Sequence, residues 1–166
     1  HHLPEVRLDL VRLDEWDFAP FKALNDLPAA MTAHVVFKTV DAERPATTSH
    51  DTIEMIRERL GFDGLLMTDD LSMKALKGAL GDRARRALTA GCDLVLHCNG
   101  DLDEMRDIAA VVPGLDGRSA ERAKAALVRI ADEPEPFDDA AAVAELAAAL
   151  DGRFEAALGP AVGEAL

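Results

Sequence analysis

Three short runs of apolar residues, each followed by a longer helical pattern, restrict this chain to very few folds. The runs span residues 29–37, 62–67 and 93–97. The first run, AAMTAHVVF, is almost continuously apolar, which is typical of a strand covered by helices on both faces. Helical periodicity follows over residues 52–60, 72–90 and 101–112, with a possible interruption between Gly78 and Gly81. Repeated strand–helix units predict a parallel sheet with right-handed crossovers, either doubly wound or closed into a barrel.

The ends of the chain have a different pattern. Residues 1–13 predict a loop, and residues 14–25 predict a helix because their apolar side chains recur on one helical face. Helices are also predicted over residues 119–131 and 138–150, and residues 153–166 are expected to fray. We therefore predict an α/β domain over residues 1–131, followed by an Ala-rich helical tail over residues 132–166 that carries no chemistry.

Composition excludes several classes of function. The formal net charge is -13, which repels phosphate backbones and anionic lipids, so we expect neither nucleic acid nor a membrane as a partner. Cys92 and Cys98 are too few for a disulfide framework, which favours a reducing compartment. The sequence has no apolar run long enough to span a membrane and no signal-peptide pattern at its start. These features predict a cytoplasmic protein.

Two carboxylates follow the second apolar run in the segment GFDGLLMTDDLSM, residues 61–73. Asp69 and Asp70 are expected where a buried parallel strand gives way to the next helix, and ligands of α/β proteins bind at the carboxyl ends of such strands. The alternative is that both are acidic residues at a helix N-terminus, which interact with its free amides. Taken alone, the pattern leaves both interpretations open.

The same segment closely resembles the nucleophile strand of the β-N-acetylhexosaminidases of glycoside hydrolase family three, of the bacterial cell-wall recycling type. Three further segments resemble this family in the correct order, and together the four cover about residues 3–127. They are MTAHVVF (31–37), RPATTS (44–49) and AGCDLVLHCNGD (90–101). The resemblance implies an α/β fold, namely an incomplete TIM (β/α)8 barrel that consists of the last three βα units, with C-terminal helices.

The resemblance also implies a reaction. Asp69 matches the catalytic nucleophile, which forms a covalent glycosyl intermediate that water later releases with retention of configuration. The implied substrate is a terminal β-linked N-acetylglucosamine, in a saccharide or in the muropeptides of peptidoglycan recycling, and no cofactor or metal is implied. The acid/base of this family is a His in an Asp-Ser-His-x-x-Leu-Pro loop. Because Leu3 and Pro4 match its end, His1 and His2 are spacers and the catalytic His falls immediately before residue 1.

Further expectations follow from the position of the acid/base His before residue 1 and from the other histidines. A chain without the acid/base loop is expected to be inactive by itself, and its unpaired barrel edges could cause self-association. His34 could line the sugar pocket or form hydrogen bonds inside the barrel. His97, next to Cys98 and Asn99, has no ligand spacing that favours a metal site. A catalytically inactive fragment and a doubly wound small-molecule binding domain remain the alternatives.

Overall fold

A computed structural model describes residues 3–129 and 136–149. The chain divides into two compact units, His1–Ile130 and Ala131–Leu166. The predicted domain boundary at residue 131 stays a prediction, because the residues around it lie outside the described ranges. The predicted fraying of residues 153–166 also concerns residues outside them.

The described elements alternate between strands and helices along the first unit. The strands are β1 (Glu5–Val6), β2 (Ala29–Met31), β3 (Val36–Phe37), β4 (Leu65–Asp70) and β5 (Leu94–Leu96). The α-helices are α1 (Leu10–Arg12), α2 (Ala19–Ala23), α3 (His50–Glu58), α4 (Leu80–Ala90), α5 (Leu102–Ala109), α6 (Gly117–Val128) and, in the second unit, α7 (Asp139–Ala149). None of the helices in these ranges has the length and apolar character needed to cross a membrane.

The main sheet has three parallel strands in the order β2, β4, β5. Ala29 pairs with Leu65 and Met31 with Met67, and on the other side of β4 Met67 pairs with Leu94. In chain order, α3 lies between β3 and β4, α4 lies between β4 and β5, and α5 follows β5. The parallel βα architecture that the sequence predicts is therefore confirmed, and β4 is its central strand.

The first apolar run does not form one strand. Residues 32–35 leave the main sheet after β2, and β3 then pairs in parallel with β1, so that Val36 lies opposite Glu5. The amide of Val36 donates to the carbonyl of Pro4, and Lys38 donates to Val6 in the same way. The prediction of a plain loop over residues 1–13 is accordingly wrong, since this segment supplies both β1 and α1.

The predicted helix over residues 72–90 begins only at Leu80. Residues 71–79 form turns, and Gly78 has a φ of +96°, which a helix cannot include. The side chain of Arg83 donates to the carbonyls of Leu71, Met73 and Gly78. We call residues 71–79 the β4–α4 loop; side chains of α4 donate hydrogen bonds to several of its carbonyl groups.

The remaining helices lie close to their predicted positions, except for the one predicted over residues 14–25. Ser49 caps α3 by accepting a hydrogen bond from the amide of Thr52, and Asp101 caps α5. The predicted helix over residues 14–25 is instead a π-helical turn, Leu13–Asp17, followed by α2. Pro20 lies at the start of α2, where its missing N–H costs nothing.

A buried carboxylate connects the sheet to the surrounding helices. Asp93, just before β5, is only 6% exposed and accepts hydrogen bonds from the amide of Leu66 and from Arg57, Ser119 and Arg122. We call this group the Asp93 cluster. It fixes β4, α3 and α6 around the start of β5.

Candidate active site

Asp69 and Asp70 are the last two residues of β4, at the carboxyl end of the central strand. Between Met67 and Asp70 this strand contains a β-bulge relative to β5, because Met67 pairs with Leu94 and Asp70 already pairs with Leu96. Bulges occur next to active sites, where they redirect side chains. The interpretation of both residues as helix N-terminal acids is wrong, since the next helix begins at Leu80.

The carboxylate of Asp69 is largely unengaged. One oxygen, Oδ1, accepts a hydrogen bond from the amide of Asp70 at 2.8 Å. Within residues 3–129 and 136–149, this is its only hydrogen bond, and no basic side chain lies within 4.0 Å. The residue is half-buried. A carboxylate in this position keeps its second oxygen available for an incoming atom.

The carboxylate of Asp70 is, by contrast, fully engaged. It accepts hydrogen bonds from the amide and the hydroxyl of Ser72, at 2.9 and 2.5 Å, and from the amide of Cys98 at 3.1 Å. Burial alone would raise the pKa of Asp70, but these hydrogen bonds, together with the nearby His97, outweigh burial and lower it. Asp70 therefore ties the end of β4 to the segment that follows β5.

His34 supports the backbone beside Asp69. It is 4% exposed, and its Nε2 lies 2.9 Å from the carbonyl oxygen of Asp70. Because a carbonyl can only accept, Nε2 is the donor. Its Nδ1 lies 2.7 Å from the hydroxyl of Thr47, so both ring nitrogens have protein partners. A contact between His34 and a sugar stays a prediction.

The segment after β5 is organised by a residue that the sequence did not single out. Glu104 of α5 accepts hydrogen bonds from His97 Nε2 at 2.7 Å and from Asn99 Nδ2 at 2.6 Å. These bonds lower the pKa of Glu104. The seven-residue separation of His97 and Glu104 gave no recognisable sequence signal. In the described part of the chain, no group of three His, Cys, Asp or Glu side chains could hold a metal ion.

Arg83 is a second residue that the sequence did not single out. It lies in the first turn of α4 and holds the β4–α4 loop through hydrogen bonds to three of its carbonyls. Burial and the nearby Arg86 lower its pKa. His1 and His2, predicted as spacers of the acid/base loop, lie outside the described residues.

The amino-acid sequence of the chain is similar to those of known proteins. A "Beta-hexosaminidase" of Bordetella pertussis is 43% identical to the chain over 64% of the chain and 32% of the relative. Another from Chromobacterium violaceum is 34% identical over 99% of the chain and 49% of the relative. The chain therefore spans between about a third and a half of the length of these relatives.

Solved structures give the same result for the fold. NagZ from Neisseria gonorrhoeae, in complex with N-trifluoroacetyl-D-glucosamine, superposes with a TM-score of 0.66 and 33% identity over 76% of this chain and 38% of that one. A glycoside hydrolase family 3 β-N-acetylglucosaminidase from Paenibacillus has a TM-score of 0.65 and 30% identity over 84% of this chain and 30% of that one. The prediction of part of a TIM-barrel-like fold is confirmed, and the doubly wound alternative is wrong.

The strand order, the paired carboxylates at the end of β4 and these likenesses agree with a match of residues 1–132 to the family described as "Glycosyl hydrolase family 3 N terminal domain". The chain belongs to this family.

Proposed function

We propose that this chain forms the nucleophile-bearing part of a retaining β-N-acetylhexosaminidase that removes terminal β-linked N-acetylglucosamine. The observation that carries the proposal is the carboxylate of Asp69, which stands at the carboxyl end of the central strand with one oxygen unengaged. The names of the relatives support the reaction class.

The proposed reaction has two steps. An oxygen of Asp69 bonds to the anomeric carbon while the glycosidic C–O bond breaks, and the leaving oxygen takes a proton from a general acid. Water then attacks the same carbon and gives a proton to the group that had acted as the general acid, and Asp69 leaves as a carboxylate. Asp70 forms no covalent bond to the sugar in this proposal; together with His34 it holds the backbone that presents Asp69, and His34 also lines the sugar pocket.

The general acid decides whether the chain acts alone. The resemblance assigns this role to a His immediately before residue 1, and loss of general acid catalysis typically costs about 10²- to 10⁴-fold in rate. We therefore propose that the 166-residue chain by itself is a very poor catalyst or inactive.

The natural substrate is proposed from the same resemblance. A muropeptide that ends in N-acetylglucosamine, processed in the cytoplasm during peptidoglycan recycling, fits the ligand of the N. gonorrhoeae structure, which is an N-acylglucosamine derivative. The formal charge of -13 argues against nucleic acid and anionic membranes as partners.

Hydrolysis of an aryl N-acetyl-β-glucosaminide tests the nucleophile. In a version that begins upstream of residue 1 and includes the acid/base segment, Asp69→Asn should abolish turnover, because the amide cannot form the glycosyl ester. Asp63→Asn is a matched control, since its carboxylate is exposed and lies before β4. Near-normal turnover by Asp69→Asn would remove the nucleophile assignment.

We also propose that the chain self-associates. β2 and β5 each pair on one side only within the described residues. Apolar side chains are exposed in β2, where Met31 is 51% exposed, and in the segment before it, where Phe21 is 64% and Leu24 is 53% exposed. Sedimentation should show dimers or larger species at micromolar concentration, and a cooperatively melting monomer would contradict this proposal.

A further inference from the structure

A concave surface of the first unit is lined mainly by basic side chains, although the protein as a whole is acidic. It is lined by Leu3, by residues of the segment 43–50, which leads into α3, and by residues of the segment 76–90, which ends the β4–α4 loop and forms α4. Its volume is about 640 Å³, and its floor includes the buried residues Pro45, Leu76 and Ala90. We call it the cationic groove.

The charged side chains that line the cationic groove are mostly basic. Arg44, Lys77, Arg85 and Arg86 face one acidic residue, Glu43, whereas the chain as a whole carries a formal charge of -13. Because the rest of the surface repels anions, the electrostatic energy of a negatively charged molecule is lower in the groove than on the surrounding surface.

Arg86 is positioned for such a molecule. Its Nη2 donates to the carbonyl of Lys77, and its Nε donates to the carbonyl of Asp82 at 3.3 Å. A guanidinium group has five N–H donors, so about three remain. Among the residues that the structure describes, no carboxylate lies within 4.0 Å of Arg86 or Lys77. The guanidinium is thus fixed by neutral oxygens, and its charge is not cancelled by an ion pair.

The other two arginines of the groove have only weak competitors. Arg44 lies 3.7 Å from Asp41, and Arg85 lies 3.1 Å from Asp82. Both side chains of the Arg85–Asp82 pair are exposed, at 59% and 55%, and such pairs contribute little. Asp41 is only 10% exposed, but its separation from Arg44 is long for an ion pair. An incoming anion could therefore recruit both.

A second cavity shows what a neutralised set of arginines looks like. It is lined by Arg118 and Arg122, which both pair with Asp63, and Arg118 also pairs with Glu121. These carboxylates already occupy the guanidinium groups. Among the described residues, Arg86 and Lys77 of the cationic groove have no such carboxylate partner.

We propose that the cationic groove binds a small organic anion through a carboxylate or phosphate group, with Arg86 as the main contact and Lys77 as the second. Planar guanidinium donors match both kinds of oxyanion, and the apolar floor suits a carbon skeleton next to the charged group. Asp69 does not line the cationic groove, and this proposal does not depend on the proposed hydrolysis.

Titration of the full 166-residue chain with inorganic phosphate, and separately with succinate, tests the proposal by backbone amide chemical shifts at constant ionic strength. Saturable shifts are expected within residues 43–50 and 76–86. The probe that saturates at the lower concentration identifies the preferred oxyanion. Linear shifts spread over the whole chain, or no shifts, would overturn the proposal.

Two variants and a matched control assign the binding to the groove. Arg86→Gln should weaken binding about ten-fold or more, as expected for loss of a charge-assisted hydrogen bond. Lys77→Gln, in an exposed loop, should weaken it less and gives a second test if Arg86→Gln unfolds. Arg118→Gln makes the same charge change in the neutralised cavity and should leave binding unchanged. Equal weakening by Arg86→Gln and Arg118→Gln would show that only net charge matters and would overturn the site.

Discussion

Replacing Asp93 by Asn should be among the most destabilising conservative changes in this chain. The Oδ2 atom of Asp93 accepts from Leu66 N at 2.8 Å and from Arg57 Nη2 at 2.7 Å. Its Oδ1 atom accepts from Ser119 Oγ at 2.6 Å and from Arg122 Nη1 at 3.0 Å. All four partners are donors, so the NH2 group of Asn would face a donor whichever way the amide is turned.

The magnitude follows from burial. The side chains of Asp93 and Arg57 are 2% and 16% exposed, and removal of one partner of a buried ion pair costs about 3–5 kcal/mol. Arg57 would keep its hydrogen bonds to the carbonyls of Phe62 and Gly64, which places the expected loss at the lower end, about 3 kcal/mol. Domains of this kind have only about 5–15 kcal/mol in total.

Asp63→Asn is the matched control. Asp63 also pairs with Arg122, at 2.8 Å, but its side chain is 63% exposed, and exposed pairs contribute about 0–1 kcal/mol. Urea unfolding of the two variants measures the difference directly. If Asp93→Asn costs no more than Asp63→Asn, the Asp93 cluster does not hold the helices to the sheet.

The same carboxylate predicts a pH dependence. Burial would raise the pKa of Asp93, but the hydrogen bonds from Ser119, Leu66 and Arg122 outweigh it and lower the pKa below that of the unfolded chain, about 3.9. Its contribution to stability is therefore complete well above pH 4 and is lost as the pH falls through the folded pKa. The stability of Asp93→Asn should depend less on pH in this acidic range, as measured by urea midpoints.

Three other changes have defined outcomes. Gly91→Ala should cost about 1–3 kcal/mol in urea unfolding, because φ is +114° and the new Cβ would lie 2.9 Å from Ile53; an unchanged midpoint would contradict this geometry. Burial raises the pKa of Cys92 to about 12, so iodoacetamide at pH 8 should label the exposed Cys98 and spare Cys92 in the native protein. Asp70→Asn should speed hydrogen exchange of the Cys98 amide about ten-fold or more, since about 1.4 kcal/mol of charge-assisted hydrogen bonding is lost; unchanged exchange would show that Asp70 does not tie the strands together.

The sequence predicted those parts of the fold that depend on local pattern. The run before Met67 and the Gly that ends α4 each have a local signal, so the position of Asp69 at the end of a buried strand could be predicted. The cap of α3 by Ser49 is local in the same sense. Resemblance then supplied the family, which periodicity alone could not.

Features that depend on distant partners could not be predicted. The division of residues 29–37 into β2 and β3 arises because β3 pairs with Glu5–Val6, a contact between segments about thirty residues apart. The four partners of Asp93 come from three separate elements, α3, β4 and α6, and nothing near Asp93 indicates them. The β4–α4 loop was predicted as a helix because its apolar residues have helical spacing. In the structure, the positive φ of Gly78 and the hydrogen bonds from Arg83 determine its path instead.

Because side chains of α4 hold the β4–α4 loop, the path of this loop does not depend on most of its own side chains. Arg83 and Arg86 donate hydrogen bonds to main-chain carbonyl oxygens, and every amino acid has such an oxygen. Residues such as Lys74 and Ala75 could thus be exchanged during evolution or by an engineer without altering the path of the chain beside Asp69. Such substitutions would change the side chains of the loop, whereas α4 would still determine the path of its main chain.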